Sequence, residues 1–291
     1  MRLGLLSSGL GIARRCLRKN VSLNRSCRRS VSGGGSPLDV SIDSKTGIAV
    51  LSMNKAPVNS LNLEYLTELN IALEKVENDK HCKGLIITSS LPKIFCGGLD
   101  IMEMYQPDLD RLQEFWRTLQ DMWIKLYGLN QPTIAAINGH SPAGGCLIST
   151  CCDFRIMAPN FTIGLNETQL GIVAPFWFVD TMLNTVGFRQ TEMALQLGSL
   201  FKTDEALKIG LIDKIVPQEE VVTAAQQEMQ KWLKIPSFAR QLSKTEIRRP
   251  TIEKLLQRKE EDIRHFRDYI TKESIQRSLG MYLDNLKNKK K

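Results

Sequence analysis

Apolar residues recur along the chain with two different periods. Short runs rich in β-branched residues at Ile48–Met53, Gly84–Ser89, Thr133–Ile137, Phe154–Met157 and 211–216 are bounded by turn-forming residues and predict strands. Between the first two, Leu66, Leu69, Leu73 and Val76 fall at three- and four-residue steps and predict a helix, with Asn62 placed to cap it. Leu112, Phe115, Trp116, Leu119, Met122, Trp123 and Leu126 form the stripe of a second helix, whose aromatic residues are expected in the core. Strands that alternate with helices in this way predict a mixed α/β protein rather than an all-α or all-β one. After Pro217 the strand signal stops and the chain reads as helices, interrupted near Pro236 and Pro250. We therefore expect an α/β catalytic core over residues 39–217 and a helical region over 218–291. That region is too thin and too charged to stand alone, and is expected to pack on the core or on a neighbouring subunit.

Charge changes the picture at one end only. The 291 residues carry a formal net charge of +8, from 39 Lys and Arg against 31 Asp and Glu. Eight of the basic residues, Arg2, Arg14, Arg15, Arg18, Lys19, Arg25, Arg28 and Arg29, lie in the first 38 positions, and no acidic residue precedes Asp39. The remaining body is neutral, which argues against a nucleic-acid partner. Leu3, Leu6, Leu10, Ala13 and Leu17 recur at helical steps with the arginines mostly off that stripe, and the segment ends in a Ser-Gly stretch. This is the pattern of a mitochondrial transit peptide and linker over residues 1–38. No apolar run approaches the roughly 18 to 20 residues needed to cross a bilayer, so stable membrane insertion is not expected. Cys16 and Cys27 lie in the basic segment, and the other five cysteines show no C-x-x-C spacing. Cys151 and Cys152 are read as small buried hydrophobes rather than a disulfide or ligands.

Common cofactor signals are missing. The chain has no G-x-G-x-x-G after a strand, no G-x-x-x-x-G-K-[ST] and no H-E-x-x-H, and His81, His140 and His265 are far apart. The segment Gly139-His140-Ser141-Pro142-Ala143-Gly144-Gly145 has the strand-to-helix setting of a serine-hydrolase elbow. The residue after the serine must supply an oxyanion N–H, and here it is Pro142, which has none.

The same segment makes another device two residues later. Gly144 and Gly145 open an apolar helix whose first N–H groups lack internal partners and whose dipole favours negative charge. A second glycine-rich turn, Phe95-Cys96-Gly97-Gly98-Leu99-Asp100-Ile101, follows the 84–89 strand. Either turn alone is weak evidence, since glycine at a strand end is usually a tight turn.

Taken together, and with Ala56–Asn62 (A-P-V-N-S-L-N), C-D-F-R-I-M-A at 152–158 and G-L-N-E-T-Q-L-G at 164–171, they resemble the crotonase (enoyl-CoA hydratase/isomerase) superfamily over about residues 40–275. The resemblance implies a ββα-repeat spiral core and an acyl-CoA thioester substrate, with no separate cofactor because CoA is part of the substrate. It also implies assembly as a homotrimer through the C-terminal helices. It assigns the oxyanion hole to the N–H groups of Leu99 and Gly144, and substrate binding to Gly97, Gly98, Leu99, Asp100, Ile101, Gly144 and Asn166. Hydratases of the superfamily carry two carboxylates. Here the first position is Leu147, and the second is kept as Glu167. One carboxylate facing a leucine is poorly equipped to add water but sufficient for a 1,3-proton shift. The resemblance therefore implies a matrix isomerase moving the double bond of a 3-enoyl-CoA to the 2-trans position, with Glu167 as its base. The aromatic run Phe176-Trp177-Phe178 is left open between core and acyl-pocket wall.

Overall fold

The computed structural model describes residues 37–288; the expected transit segment lies outside them, apart from its last two residues. Six strands form the larger sheet: β1 (Leu38–Ile42), β2 (Ile48–Met53), β3 (Gly84–Ser89), β5 (Thr133–Ile137), β7 (Phe154–Met157) and β10 (Lys214–Ile215), adjacent in that order. β1 is antiparallel to β2, and the others are parallel to their neighbours. A second sheet holds β4 (Lys93–Ile94), β6 (Gly139–Pro142), β8 (Thr162–Gly164) and β9 (Phe201–Lys202). Between them stand α1 (Leu63–Asn78), α2 (Leu109–Tyr127), α3 (Gly144–Cys151), α4 (Phe176–Val186), α5 (Phe188–Leu197) and α6 (Thr203–Lys208). The chain visits the first sheet, then the second, then a helix: β3-β4-α2, β5-β6-α3, β7-β8-α4. This is the ββα repeat expected above.

The parallel strands β2, β3, β5 and β7 are buried on both faces, as parallel sheets must be, while the antiparallel edge strand β1 is mostly exposed. Leu85, Ile87, Ala135 and Ile137 point into the main core with α1, α2 and α3, while the alternate residues Ile86, Ile134 and Ala136 point the other way. That second face is covered by Val221, Ala224, Ala225 and Met229 of α7 (Val221–Leu233). Asn62 caps α1 as expected, its side chain accepting from the Tyr65 N–H at 3.1 Å. Cys151 and Cys152 are fully buried free thiols.

The C-terminal region continues with α8 (Ser237–Ile270) and α9 (Glu273–Asn288). Pro236 stands just before α8, but Pro250 does not interrupt it, contrary to expectation. A proline costs a helix one hydrogen bond and a steric clash, and tertiary anchors on both sides keep this helix continuous through it. Before it, Lys244 and Arg248 contact the buried Asp153 carboxylate at 2.8 and 2.9 Å. Arg248 also donates to the carbonyls of Tyr127 and Cys151, both at 2.8 Å. After it, Lys254 pairs with Asp180 at 2.7 Å and Lys259 with Asp121.

Further along α8, the buried Asp262 joins three helices through one oxygen. Its Oδ2 accepts from Trp116 Nε1 at 2.7 Å, Gln120 Nε2 at 2.8 Å and Trp177 Nε1 at 3.1 Å. Trp177 also packs edge-on against Trp116, Trp123 and Phe178. Trp177 and Phe178 are therefore core. Phe176 turns outward beneath the cations of Lys254 and Arg258.

Candidate active site

The first glycine-rich turn is shaped by the loop that precedes α1. Leu61 and Leu99 form a parallel bridge, with Leu61 N–H donating to the Gly98 carbonyl at 2.8 Å and Asp100 N–H to the Leu61 carbonyl at 3.0 Å. Gly97 N–H donates to Val58 O at 2.7 Å. The fully buried Asn59 spans the gap, its amide donating to Ser89 Oγ at 2.8 Å and Phe95 O at 2.9 Å. These bonds consume the N–H groups of Gly97 and Asp100 and leave the Leu99 N–H without an acceptor among the described residues. The Asp100 carboxylate caps the short 3₁₀ turn Ile101–Glu103 through Met102 N–H at 3.1 Å, so its side chain is occupied structurally.

The second turn carries real strain. Ala143 adopts φ +50° and ψ −120°, unfavourable for a residue with a Cβ. It is held there by its N–H to Gly164 O at 2.8 Å and its carbonyl to Leu147 N–H at 3.0 Å. The contortion delivers Gly144 as the first residue of α3, its N–H also without an acceptor among the described residues. The two turns abut: a Cβ at Gly144 would lie 3.4 Å from Leu99 N and 3.3 Å from Gly98 Cα. Only glycine leaves that space open to a ligand, and two unpaired N–H groups border it. Ser141 is buried against Ser149 Oγ at 3.2 Å, while His140 bonds Thr162. No serine–histidine pair forms there.

Glu167 begins the 3₁₀ turn Glu167–Leu170, which closes on Gly171 at φ +74°. Three residues upstream, Gly164 pairs with Pro142 and bonds Ala143, which brings the Glu167 loop up to the start of α3. The loop is anchored by Thr168 Oγ1 to Leu195 O (2.9 Å) and Gln169 Nε2 to Gly198 O (2.8 Å). From α8, Tyr269 OH donates to Gly171 O at 3.1 Å. The Glu167 side chain lies in a cavity of about 250 Å³ walled by Leu165, Val173, Ala174, Val179 and Leu195. The residue is 7% exposed, and its Oε2 is buried without any hydrogen-bond partner. Burial pushes its pKa from 4.5 up to about 7, against a smaller lowering by its own backbone N–H. The fully buried Cys146 on α3 feels this carboxylate: burial first, and Glu167 second, raise its thiol pKa.

The arrangement thus combines a dry, unsatisfied carboxylate with a pair of unsatisfied amide donors. Such a site can move a proton while stabilising negative charge on an oxygen. Leu147 is fully buried on α3, so no carboxylate stands at that position. Asn166 precedes the Glu167 turn with its Oδ1 buried and unpartnered. Leu165 and Val173 wall the cavity, while Leu147 and Ile172 lie in the main core and do not line it. Sequence reasoning missed Val179 and Leu195, which α4 and α5 bring in from further along the chain. It also missed the role of Asn59, whose only signal was an amide in the loop before α1. Among the described residues no group of three His, Cys, Asp or Glu side chains could hold a metal.

Over residues 43–291 the chain matches the enoyl-CoA hydratase/isomerase family. It is 51% identical over 253 residues to mouse mitochondrial enoyl-CoA delta isomerase 1, covering 86% of this chain and 88% of the mouse protein. The human protein of that name is 48% identical over 250 residues, 85% of this chain and 83% of its own length. The crystal structure of human mitochondrial delta3-delta2-enoyl-CoA isomerase superposes with a TM-score of 0.86 at 47% identity, covering 88% of this chain and all of that one. An enoyl-CoA hydratase from Bacillus halodurans shares the fold at a TM-score of 0.76 with only 21% identity, over 84% of this chain and all of its own. With its ββα spiral, its paired amide turns and this breadth of similarity, the chain belongs to the enoyl-CoA hydratase/isomerase family.

Proposed function

We propose that the protein isomerises 3-cis- and 3-trans-enoyl-CoA to 2-trans-enoyl-CoA, in the β-oxidation of unsaturated fatty acids. The observation that carries this reading is the single buried Glu167 carboxylate, its Oε2 without a partner among the described residues, on the loop brought up to the amide turn at the start of α3, with Leu147 where a second carboxylate would stand. The thioester oxygen accepts from Leu99 N–H and Gly144 N–H. Glu167 takes a proton from C2; the C2–H electron pair delocalises through the thioester as a dienolate, whose charge gathers on that oxygen. The same carboxylic acid returns the proton at C4 as the double bond shifts to C2. Atoms and charge balance without a cofactor, and CoA enters and leaves as part of the substrate. The apolar cavity holds the acyl chain next to the base and keeps water from the intermediate. Gly97, Gly98, Asp100 and Ile101 present the first turn to the substrate through their backbone, and Asn166 supports the base-bearing loop through its carbonyl, which accepts from Gln169 N–H at 3.1 Å, leaving its side chain free for the substrate.

Product analysis tests the assignment. Incubated with a 3-enoyl-CoA, the protein is expected to yield the 2-trans isomer far faster than it hydrates 2-trans-enoyl-CoA; comparable rates for the two reactions would overturn it.

The basic, acid-free segment before Asp39 and the mitochondrial names of the similar proteins support a matrix location after cleavage of the leader. N-terminal sequencing of protein from isolated mitochondria is expected to begin within residues 30–38, and Met1 would refute this. We also propose a homotrimer formed through the 218–291 region. Phe238, Leu242 and Leu256 lie on one stripe of α8 at 100° per residue, and all three are exposed. Sedimentation equilibrium is expected to give three times the mass of the processed chain, and a monomer would refute the assembly.

A further inference from the structure

The catalytic groups described above follow the C-terminal ends of the parallel strands β3, β5 and β7. The opposite edge of the large sheet carries a groove of about 720 Å³, formed by residues just before β2, β3 and β5 and by the junction of α7 with α8. Four cations line it: Lys45, Lys83, Lys234 and Arg240. None of them makes an ion pair among the described residues, and no Asp or Glu is among the lining residues. On a body with 31 basic and 31 acidic residues after position 38, this is a local concentration of uncompensated charge. Asp153 acts on Arg240 but is itself ion-paired with Lys244 and Arg248. Asp43 feels Lys45 but accepts from the N–H groups of Lys45 and Thr46 in its own turn, and Glu77 accepts from Asn130 at 3.4 Å.

Two further features point the same way. Arg240 Nε is buried with no acceptor, and the only partner of its guanidinium among the described residues is the Asn130 carbonyl at 3.5 Å. A guanidinium has five donors in a fixed fork suited to phosphate oxygens, so most of this one's capacity is unused. The 34-residue helix α8 begins at the groove wall with no side-chain cap and no acidic residue in its first turn. Its positive end therefore adds to the field of the four cations.

We propose that this groove is a second ligand site, for a soluble phosphate-bearing anion of the nucleoside diphosphate class. The cations and the α8 terminus supply the phosphate contacts. The volume, within the range of small-molecule sites, leaves room for more than the phosphates. Gln230 and Gln241 on one side and Leu233 and Ile235 on the other offer hydrogen bonds and an apolar surface to a nucleoside. The groove takes Ser237, Arg240 and Gln241 from one face of α8, whereas Phe238, Leu242 and Leu256 lie on another, so trimer formation and ligand binding use separate faces of that helix.

The test is calorimetric titration of the processed protein with ADP while a saturated acyl-CoA occupies the catalytic site. Sub-millimolar binding is expected, weakening as salt is raised from about 50 to 200 mM. The double variant Lys83→Gln/Arg240→Gln is expected to weaken it about tenfold or more, since bonds to charged groups are lost, while isomerase turnover is unchanged. Both positions are away from the catalytic site, so turnover also reports that the variant is folded. The proposal is overturned if ADP fails to saturate at millimolar concentration or the double variant binds as the wild type does. Loss of ADP binding when acyl-CoA only stoichiometric with the catalytic sites is present would also overturn it, as would binding of vesicles of anionic phospholipid with none of ADP, which would make the source a membrane headgroup.

Discussion

Glu167→Gln is expected to lower isomerase turnover by at least the roughly 10² to 10⁴ that loss of a general base costs, and toward or beyond the upper end, because the same carboxylate both removes and returns the proton. The substitution keeps size and hydrogen-bonding capacity, so calorimetric binding of a saturated acyl-CoA should change little. Equal loss of binding and turnover would mean that Glu167 only supports its loop; substantial residual turnover would mean that another residue is the base. The wild-type pH profile gives an independent reading. With burial pushing the Glu167 pKa up to about 7, kcat/KM should fall as pH drops through 7, where the carboxylate is no longer free to accept a proton. The same shift carries a stability sign. Between the ordinary 4.5 and about 7 the folded protein holds this proton and the unfolded chain does not. Stability contributed by this group is therefore full below 4.5 and is lost as pH rises through the window. The loss is at most on the order of 3 kcal/mol. The Gln variant escapes it, less whatever its buried amide loses by lacking a partner. Its melting temperature should exceed the wild type's at pH 8, and the gap should narrow toward pH 4.

Gly98→Ala is expected to cost about 10² to 10³ in kcat, the usual loss when an oxyanion donor is removed, although no N–H is deleted. Gly98 sits at φ +93°, and a Cβ there would meet Ala143 Cβ at 2.9 Å and Gly144 N at 3.3 Å. A left-handed backbone costs an alanine roughly 1 to 2 kcal/mol. The clash adds to that and forces the two turns apart. Ala143 cannot yield easily, since its own strained geometry is fixed by bonds to Gly164 and Leu147. Leu99 N–H and Gly144 N–H then no longer converge on one oxygen. Rapid-mixing kinetics should show the loss in the chemical step, with a smaller change in binding. A Gly98→Ala variant that turned over at the wild-type rate would show that the paired amides do not carry the negative charge.

Four parallel strands of the large sheet were legible because burial on both faces makes each a nearly continuous apolar run; β2, β3, β5 and β7 begin and end where their β-branched runs do, whereas the edge strand β1, mostly exposed, gave no such run. The last run shortened to Lys214–Ile215: at its start the Asp213 carboxylate, in place of a backbone carbonyl, accepts from the Arg155 N–H at 2.8 Å and from its guanidinium at 3.0 Å. The second sheet was invisible. Its strands have two to four residues, too few for a period to register, and β6 lies inside a segment whose glycines and proline read as a turn. Pro250 misled for a different reason: local sequence reports the cost of a proline but not the buried Asp153 that offsets it. At the site, the two turns were readable because Gly98 and Gly144 stand at a close backbone approach that a Cβ would crowd, and Glu167 only because its segment resembles the family's. The cavity walls were not, since nothing local in Val179 or Leu195 marks them as neighbours of a glutamate.

The placement of Asp262, Tyr269 and α9 bears on the order in which the protein is made. A chain emerges from the ribosome N-terminus first, so the amide turns and Glu167 appear roughly a hundred residues before the groups that secure the pocket wall. Asp262 supplies the acceptor for the indole of Trp177, and Tyr269 ties down Gly171. Until they arrive, Trp177 lacks its acceptor and the turn that closes the base loop lacks its tether. A nascent or prematurely terminated chain therefore carries every reacting group of the site without the support that holds it in place. Competence arrives late in synthesis, so a truncated product lacking α8 and α9 should be inert rather than partly active.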